Sequence, residues 1–143
     1  NPATGAESRV AKYRLRDNYV RFYLKYVLPR KSEIDRGVFR YASLDQLPEW
    51  DTIRGLQFEN LIVNNYRELI PYLHIGNSIV ESAAPYRNAR TIRGSGQKGV
   101  QIDLLVQTAC TAYVVEIKRK KHIGSEVETE VRDKVKRLPW ARG

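Results

Sequence analysis

The sequence predicts an α/β fold in which helices flank a small β-sheet, and three segments carry this prediction. A helical pattern follows Asp51, two apolar runs separated by a short reversal occupy residues 98–121, and an amphipathic pattern begins at Ser125. A chain of 143 residues with both kinds of pattern fits one domain of ordinary size, preceded by an additional helical segment.

Composition and charge narrow the possible functions. Hydrophobic residues make up 42% of the chain, which excludes disorder over most of its length, and no apolar run reaches the roughly 20 residues of a membrane span. Cys110 is the single cysteine and no secretion signal stands at the start, so we expect a cytoplasmic protein without a membrane partner. The net charge of +9 favours a nucleic acid as partner, although many small cytoplasmic domains are simply basic.

Residues 1–50 are interpreted as a helical appendage or linker. Asp17 is a good N-cap residue, and Pro29 follows the last turn of the helix that begins there. The residues between them that recur at helical spacing are Tyr19, Phe22, Tyr23, Tyr26 and Val27. Such an aromatic row can stack on nucleic-acid bases, but it more often packs against protein, and we favour packing.

A long helix is predicted to begin at Asp51 or Thr52 and to end at Pro71. One stripe of this helix contains Leu56, Glu59, Ile62, Val63 and Tyr66. A carboxylate within an apolar stripe costs free energy unless it has a partner. Glu59 therefore either reaches solvent at the edge of the stripe or binds a partner such as a metal ion.

Strands are predicted in the second half of the chain. Residues 78–86 favour one strand, and residues 98–121 favour a β-hairpin that turns at Ala109 and Cys110. Because side chains alternate along a strand, one face of the hairpin is entirely apolar and consists of Ile102, Leu104, Val106, Tyr113, Val115 and Ile117. The second face consists of Asp103, Leu105, Val114, Glu116 and Lys118.

Charged residues gather at one end of this second face. Asp103 is predicted to lie opposite Glu116, and like charges at opposing positions of a ladder repel each other. The pair therefore needs a cation. Lys118 lies within diagonal reach, and a divalent metal ion would complete the neutralisation.

Ser125 is predicted to be the N-cap residue of the last helix, with Glu128 as the second member of a capping box. Its buried stripe is predicted to contain Val127, Val131, Val135 and Leu138.

Basic residues stand before the first hairpin strand and after the second. These candidates for contacts with a nucleic-acid backbone are Arg87, Arg90, Arg93, Lys98, Arg119, Lys120 and Lys121.

The tripeptide formed by Glu116, Ile117 and Lys118 carries no weight by itself. An acid two positions before a lysine is expected about once in a chain of this composition. Support for a site comes from the surroundings of the tripeptide. The tripeptide ends an apolar strand, Asp103 is predicted to lie opposite, Glu59 is on a preceding helix, and basic segments flank the hairpin. Together these features favour a functional site.

In these motifs the chain resembles the PD-(D/E)xK nuclease superfamily, which has the restriction-endonuclease-like fold. The matching residues are Glu59 on the first core helix, Asp103 in QIDLL, and Glu116 and Lys118 in VVEIK. More narrowly, the segments RLRDNYVRFYLKYVLP, GLQFENL, QIDLL and EIK are similar to the nuclease-like C-terminal domain that follows the ATPase and winged-helix modules of archaeal-type AAA ATPases. Ile102 stands where the superfamily has proline.

The resemblance implies both a fold and a chemistry. Residues 51–143 would form an α-β-β-β-α core with a mixed sheet, and because the strand expected after the last helix is missing, we expect the natural chain to extend further. Asp103, Glu116 and Glu59 would hold Mg²⁺ or Mn²⁺, and Lys118 would act on the attacking water or on the charge of the transition state. The substrate would be DNA, and the partner would be an ATPase module that this chain lacks.

Two alternatives remain open. The same fold could serve as a non-catalytic DNA-binding or docking module, in which the acids merely hold Lys118. The chain could also be a protein-interaction domain without a nucleic-acid partner. ATP hydrolysis by this chain itself is not expected, because the sequence has no glycine-rich phosphate loop followed by Lys-Ser or Lys-Thr.

Overall fold

The computed structural model describes residues 14–40, 43–88 and 99–138, and these residues have a mixed α/β architecture. They divide between Asn64 and Asn65 into two compact units. The long helix thus belongs to the first unit and the strands to the second, whereas the prediction places both in one domain of residues 51–143. That domain assignment stays a prediction.

None of the helices in the described ranges is long and apolar enough to cross a membrane.

The first unit begins with a short helix, α1 (Asn18–Phe22), which starts where the sequence predicts. Asp17 Oδ1 accepts hydrogen bonds from the backbone N–H groups of Tyr19 and Val20, at 2.7 and 3.0 Å. Because such donors have no partner within the helix, the aspartate fixes its first turn. The path continues through a π-helical turn (Tyr23–Val27).

Pro29 does not end this helical path, contrary to the prediction. It lies near the start of a 3-10 turn (Leu28–Arg30), which leads into α2 (Lys31–Asp35). Proline lacks a backbone N–H and is tolerated in the first turn of a helix, where that donor has no partner in any case. The new turn can therefore accept the proline.

Aromatic residues of this path build the core of the first unit. Tyr26 is buried and packs with Leu47 and Ile53. The partly buried rings around this cluster are Phe22, Phe39 and Trp50. The predicted packing role is thus confirmed for Phe22 and Tyr26, whereas Tyr19 is exposed.

The long helix α3 (Trp50–Asn64) is shorter than predicted. It gives way to a 3-10 helix (Tyr66–Leu73) that belongs to the second unit. Two consecutive asparagines, which are weak helix formers, stand at this change. The buried residues of α3 are Ile53 and Asn60. The predicted apolar stripe is wrong at Leu56, which is exposed, whereas its other members, Glu59, Ile62, Val63 and Tyr66, are half-buried.

The second unit contains an antiparallel sheet with the strand order β1 (Val80–Asn88), β2 (Val100–Thr108) and β3 (Ala112–Val115). The predicted first strand and the predicted hairpin are both confirmed. Leu104 pairs with Val115, and the other pairs of the hairpin follow the predicted register. Within the described residues the strands are antiparallel throughout, so the mixed sheet that the resemblance implies is not seen there.

Two threonines fix the turn of the hairpin. The backbone N–H of Thr108 donates to the carbonyl oxygen of Thr111 at 2.9 Å, and the N–H of Thr111 donates to Thr108 Oγ1 at 3.2 Å. The reversal therefore centres on Ala109 and Cys110, as predicted.

The central strand β2 is buried on both of its faces. Ile102, Leu104 and Val106, from the predicted apolar face, are fully shielded from solvent. Leu105, from the predicted second face, is buried as well, but in one cluster with Ile102 and Leu138. The predicted separation of Ile102 from Leu105 is therefore wrong, because the register between β1 and β2 shifts between Ala84 and Tyr86 and breaks the simple alternation of side chains there. The buried apolar residues of β2 thus fix the hairpin in the second unit, including the end that carries Asp103 and Glu116.

The last helix, α4 (Ser125–Lys136), begins one residue earlier than predicted and has no capping box. Gly124 is the N-cap residue, and the helix start carries no side-chain capping bond. Ser125 has already entered the helix, where its carbonyl oxygen accepts a hydrogen bond from Thr129 Oγ1 at 3.1 Å. Glu128 binds Arg132 at 2.7 Å instead of capping the helix.

The buried face of α4 differs from the predicted stripe at one position. Val127 and Leu138 are buried as predicted, but Val135 is 37% exposed. Lys134 lies on the buried side instead, with 13% of its side chain exposed. A lysine can take this place when a carboxylate is available to pair with its ammonium group.

Candidate functional site

Asp103 and Glu116 lie at adjacent positions where the ladder of β2 and β3 ends. The last pair of this ladder is Leu104 with Val115, so the two acids occupy the next position on each chain. Asp103 Oδ2 accepts a hydrogen bond from the backbone N–H of Ile117 at 3.0 Å. The aspartate thereby satisfies a backbone donor just after the strand and fixes the segment that carries Glu116.

The Glu116 carboxylate is shielded from water and holds two ammonium groups. Its side chain is 4% exposed. Lys118 Nζ lies 2.6 Å from Oε1 of Glu116, and Lys134 Nζ lies 2.6 Å from Oε2. Removing a charge from water is costly unless the charge is paired, and here each carboxylate oxygen has its own cation. Lys118 is the predicted partner, whereas Lys134 comes from α4.

Glu130 on α4 completes the arrangement. Its Oε1 lies 2.9 Å from Lys134 Nζ, and its Oε2 lies 3.6 Å from Lys118 Nζ. A closed ring of alternating charges results, which we call the carboxylate–lysine cluster; its members are Glu116, Lys118, Glu130 and Lys134. The two carboxylates of the cluster balance its two ammonium groups, and Asp103 beside it adds one negative charge.

Both lysines of the cluster are charged near neutral pH. The hydrogen bond to Glu116 raises the pKa of Lys118, although partial burial opposes this shift. Burial acts to lower the pKa of Lys134, but hydrogen bonds to Glu116 and Glu130 outweigh it and the net shift is upward. The hydrogen bond from Lys134 lowers the pKa of Glu130. Lys118 can therefore donate hydrogen bonds and neutralise negative charge.

Glu59 lies on α3 in the first unit, where its partner is an arginine. Glu59 Oε1 accepts a hydrogen bond from Arg14 Nη1 at 2.7 Å. Arg14 Nε also donates to Oδ1 of Asn60, which is buried. Asn60 Nδ2 in turn donates to the carbonyl oxygen of Leu15 at 2.8 Å and to Asn18 Oδ1 at 3.0 Å. The role of Glu59 as a third metal ligand stays a prediction.

We call the residues around this amide the Asn60 hub, and its members are Arg14, Leu15, Asn18 and Asn60. The hub ties the segment before α1 to the middle of α3 by side-chain hydrogen bonds. Three of its residues lie in the RLRDN part of the first motif, and Asn60 follows Glu59 in GLQFENL. Within the first unit these two motifs therefore have a structural role.

Of the four predicted site residues, the structure brings together Asp103, Glu116 and Lys118. Sequence reasoning missed Lys134 and Glu130, although a signal for them exists. Lys134 lies seven residues after Val127 and therefore on the same face of α4, and it has the i, i+4 spacing to Glu130 that favours an ion pair.

The predicted nucleic-acid-binding residues that the structure describes belong to the second unit. Arg87 on β1 is exposed, and so is the basic run after the hairpin, which consists of Arg119, Lys120 and Lys121. Arg90, Arg93 and Lys98 lie outside the described residues. The exposed run directly follows Lys118, so positive charge adjoins the carboxylate–lysine cluster in the chain.

The donor atoms of Asp103 and Glu116 fit a hard divalent ion. Mg²⁺ prefers oxygen ligands and is commonly held by one or two carboxylates together with waters and substrate phosphates. Among residues 14–40, 43–88 and 99–138, no group of three or more histidine, cysteine, aspartate or glutamate side chains is arranged to hold a metal ion. The fit is therefore to a site with two carboxylates, in which Lys134 Nζ already places a positive charge on one oxygen of Glu116.

A scan against protein-family models and searches of curated proteins and of solved structures find no match to this chain.

Proposed function

We propose that this chain is a nuclease-like domain that hydrolyses DNA phosphodiester bonds with Mg²⁺ or Mn²⁺ and forms the C-terminal part of an ATPase. The observation that carries the proposal is the juxtaposition of Asp103 and Glu116 at the end of one ladder, with Lys118 bound to Glu116. Two adjacent carboxylates suit a divalent ion, and a charged lysine can stabilise the developing negative charge, so this set of groups suits metal-assisted phosphodiester hydrolysis.

The roles of the three residues follow from their chemistry. Asp103 and Glu116 would hold the metal ion, which when bound polarises the scissile phosphate and lowers the pKa of a bound water. Lys118 carries a positive charge, so it would stabilise the negative charge that develops on the phosphate or orient the attacking water.

The ladder of β2 and β3 supports this assignment because it fixes the acids in advance. The bond from the N–H of Ile117 fixes the Asp103 carboxylate against the backbone next to Glu116, and Lys118 and Lys134 hold the Glu116 carboxylate. A site whose charged groups are already oriented loses little free energy to reorganisation during the reaction.

Binding of the substrate would depend mainly on charge. The exposed residues Arg87, Lys120 and Lys121 and the net charge of +9 favour contacts to the phosphate backbone. Such contacts are largely independent of base sequence and weaken steeply with salt.

A cleavage assay on plasmid and linear duplex DNA tests the proposal. We expect cleavage that requires Mg²⁺ or Mn²⁺ and that falls about 100-fold or more in Asp103→Asn and Glu116→Gln, since even the outer-shell partners of metal ligands are worth 10- to 100-fold. The matched control is Glu128→Gln, which removes an exposed acid of α4 that binds Arg132, and it should cleave like the wild type. Cleavage that persists unchanged in Asp103→Asn would overturn the assignment.

A second candidate is a non-catalytic DNA-binding or docking module of the same fold. The observation that favours it is the complete pairing of Glu116 with Lys118 and Lys134, which ties α4 to the sheet without any metal ion. This candidate predicts salt-dependent affinity for duplex DNA together with no cleavage and no calorimetric signal on addition of Mn²⁺. Affinity for DNA that is unchanged between low and moderate salt would instead favour a protein-interaction domain.

A further inference from the structure

Lys134 differs from Lys118 in where it comes from and in how it is held. Lys118 is two residues beyond Glu116 on the same segment, whereas Lys134 reaches Glu116 from α4. Lys134 is the more enclosed of the two, with 13% of its side chain exposed against 28% for Lys118. Its ammonium group lies 2.6 Å from Glu116 and 2.9 Å from Glu130, so it has two close carboxylate partners.

We propose that Lys134 is an internal counter-cation that occupies Oε2 of Glu116 and must leave this oxygen when a divalent ion binds. This inference rests on the proposed function, because it assigns a role to Lys134 in the same metal site. Lys134 would thus set the affinity of the site for its metal ion without being a ligand itself.

Charge balance supports the competition. The two ammonium groups already neutralise the two carboxylates of the cluster, and Asp103 contributes a single further negative charge. A divalent ion added to this arrangement would leave an uncompensated positive charge in a place that is shielded from water, which is unfavourable. Moving one ammonium group away from Glu116 relieves that repulsion.

Glu130 decides which lysine moves. Lys134 is already 2.9 Å from Glu130, four residues earlier on the same helix, so it can release Glu116 and remain paired. Lys118 lies 3.6 Å from Glu130 and would lose its closer partner. Lys118 therefore stays on Glu116, where the reaction would use it, and Lys134 moves to Glu130.

Two substitutions should consequently change metal affinity in opposite directions. Lys134→Gln removes the competing cation and should tighten binding of Mn²⁺ about tenfold, an effect of the size that neighbours of metal ligands produce. Glu130→Gln removes the alternative partner, so Lys134 remains on Glu116 and binding should weaken.

The experiment is isothermal titration calorimetry with MnCl₂ on the full chain, without DNA. It compares the wild type with Lys134→Gln, Glu130→Gln and a matched control, Lys136→Gln, which removes a lysine of α4 that is 76% exposed and pairs with Asp133. The control should bind Mn²⁺ like the wild type. Circular dichroism establishes that each variant is folded, and Glu130→Gln gives an independent answer if Lys134→Gln does not fold.

Each outcome decides the inference. Equal Mn²⁺ affinity in the wild type and both cluster variants overturns it, and if Asp103→Asn abolishes that binding, the proposed function still stands. Weaker binding in Lys134→Gln also overturns it and makes Lys134 a residue that positions Glu116. If no protein binds Mn²⁺, including Lys134→Gln, the metal site itself is refuted and the inference fails with it.

Discussion

The Asn60 hub in the first unit and the carboxylate–lysine cluster in the second each provide partners for a polar side chain that is shielded from water, but the partners differ in chemistry. Asn60 is a neutral amide that is 1% exposed, and its oxygen and nitrogen are each matched by a particular hydrogen-bonding partner. Glu116 is a charged group whose side chain is 4% exposed, and its partners are cations. A directional amide accepts few replacements for its partners, whereas a carboxylate accepts any cation that fits.

This difference explains why the two places suit different roles. The hub fixes the path of the chain between the segment before α1 and the middle of α3. The cluster also connects elements, since Lys134 of α4 binds Glu116 next to the sheet, but its contacts can be exchanged for an added ion. We therefore expect the first to be purely structural and the second to respond to the ionic composition of the solution.

The largest effect that separates the two is expected from Glu116→Gln. The substitution keeps the shape of the side chain but leaves two enclosed ammonium groups with Glu130 as their remaining carboxylate partner in the cluster. Breaking such a pair by removing one partner typically costs 3–5 kcal/mol, and the partial exposure of Lys118 places the expected loss near the lower end, at about 3 kcal/mol. Urea denaturation measures it.

The control for this measurement is Glu128→Gln, which removes a carboxylate from the exposed side of α4 and should change stability by less than about 0.5 kcal/mol. A loss in Glu116→Gln that is no larger than in the control would mean that the cluster contributes nothing to folding. The same loss in 1 M NaCl should be smaller, because the remaining charges are partly screened.

A smaller loss, about 2 kcal/mol, is expected from Asn60→Ala. This substitution removes three hydrogen bonds of the buried Asn60 amide, to Arg14, Leu15 and Asn18, and each such bond contributes about 0.5–1.5 kcal/mol. The Leu15 carbonyl oxygen keeps a bond from Arg21 and Arg14 keeps its bond to Glu59, which limits the loss. Asn64→Ala is the matched control, because Asn64 lies on the same helix, is exposed and makes one long hydrogen bond, at 3.5 Å, to the carbonyl oxygen of Arg16. In contrast to Glu116→Gln, the loss in Asn60→Ala should not change with salt.

The smallest effect concerns the dependence of stability on pH, through Glu130. Its pKa is lowered from 4.5 because it accepts a hydrogen bond from Lys134, so its stabilising contribution is present above pH 4.5 and is lost as the pH falls through the folded-state value. Because Glu130 is partly exposed, we expect less than about 1 kcal/mol. Thermal unfolding of the wild type and Glu130→Gln should therefore differ at pH 7 and converge as the pH falls through the lowered folded-state pKa of Glu130. A difference that stays constant with pH would contradict the ion pair.

The features that could be predicted from the sequence are those that depend on neighbours in the chain. The register of the hairpin follows from its turn, and with it the position of Asp103 relative to Glu116. The start of α1 follows from Asp17, whose carboxylate binds N–H groups two and three residues later. In both cases the partners are separated by a short segment, so the pattern itself determines the contact.

The features that could not be predicted depend on distant partners. The place of Glu59 in an apolar stripe suggests a metal ion as its partner, but its partner in the first unit is Arg14. Arg14 comes from the segment before α1, and nothing in the local pattern of α3 indicates it. The buried face of α4 was assigned by hydrophobicity, which favours Val135 over Lys134. A lysine that can reach an enclosed carboxylate gains more from burial than its hydrophobicity suggests.

Cys110 gives the hairpin a practical use. It is the single thiol of the chain, it is exposed, and it lies in the turn at the opposite end of β2 and β3 from Asp103 and Glu116. A nitroxide attached there would sit roughly 20 Å along the strands from the acids, given a rise of about 3.3 Å per residue. Paramagnetic broadening of its spectrum would then report the arrival of Mn²⁺ at the far end of the same hairpin, with no other residue altered.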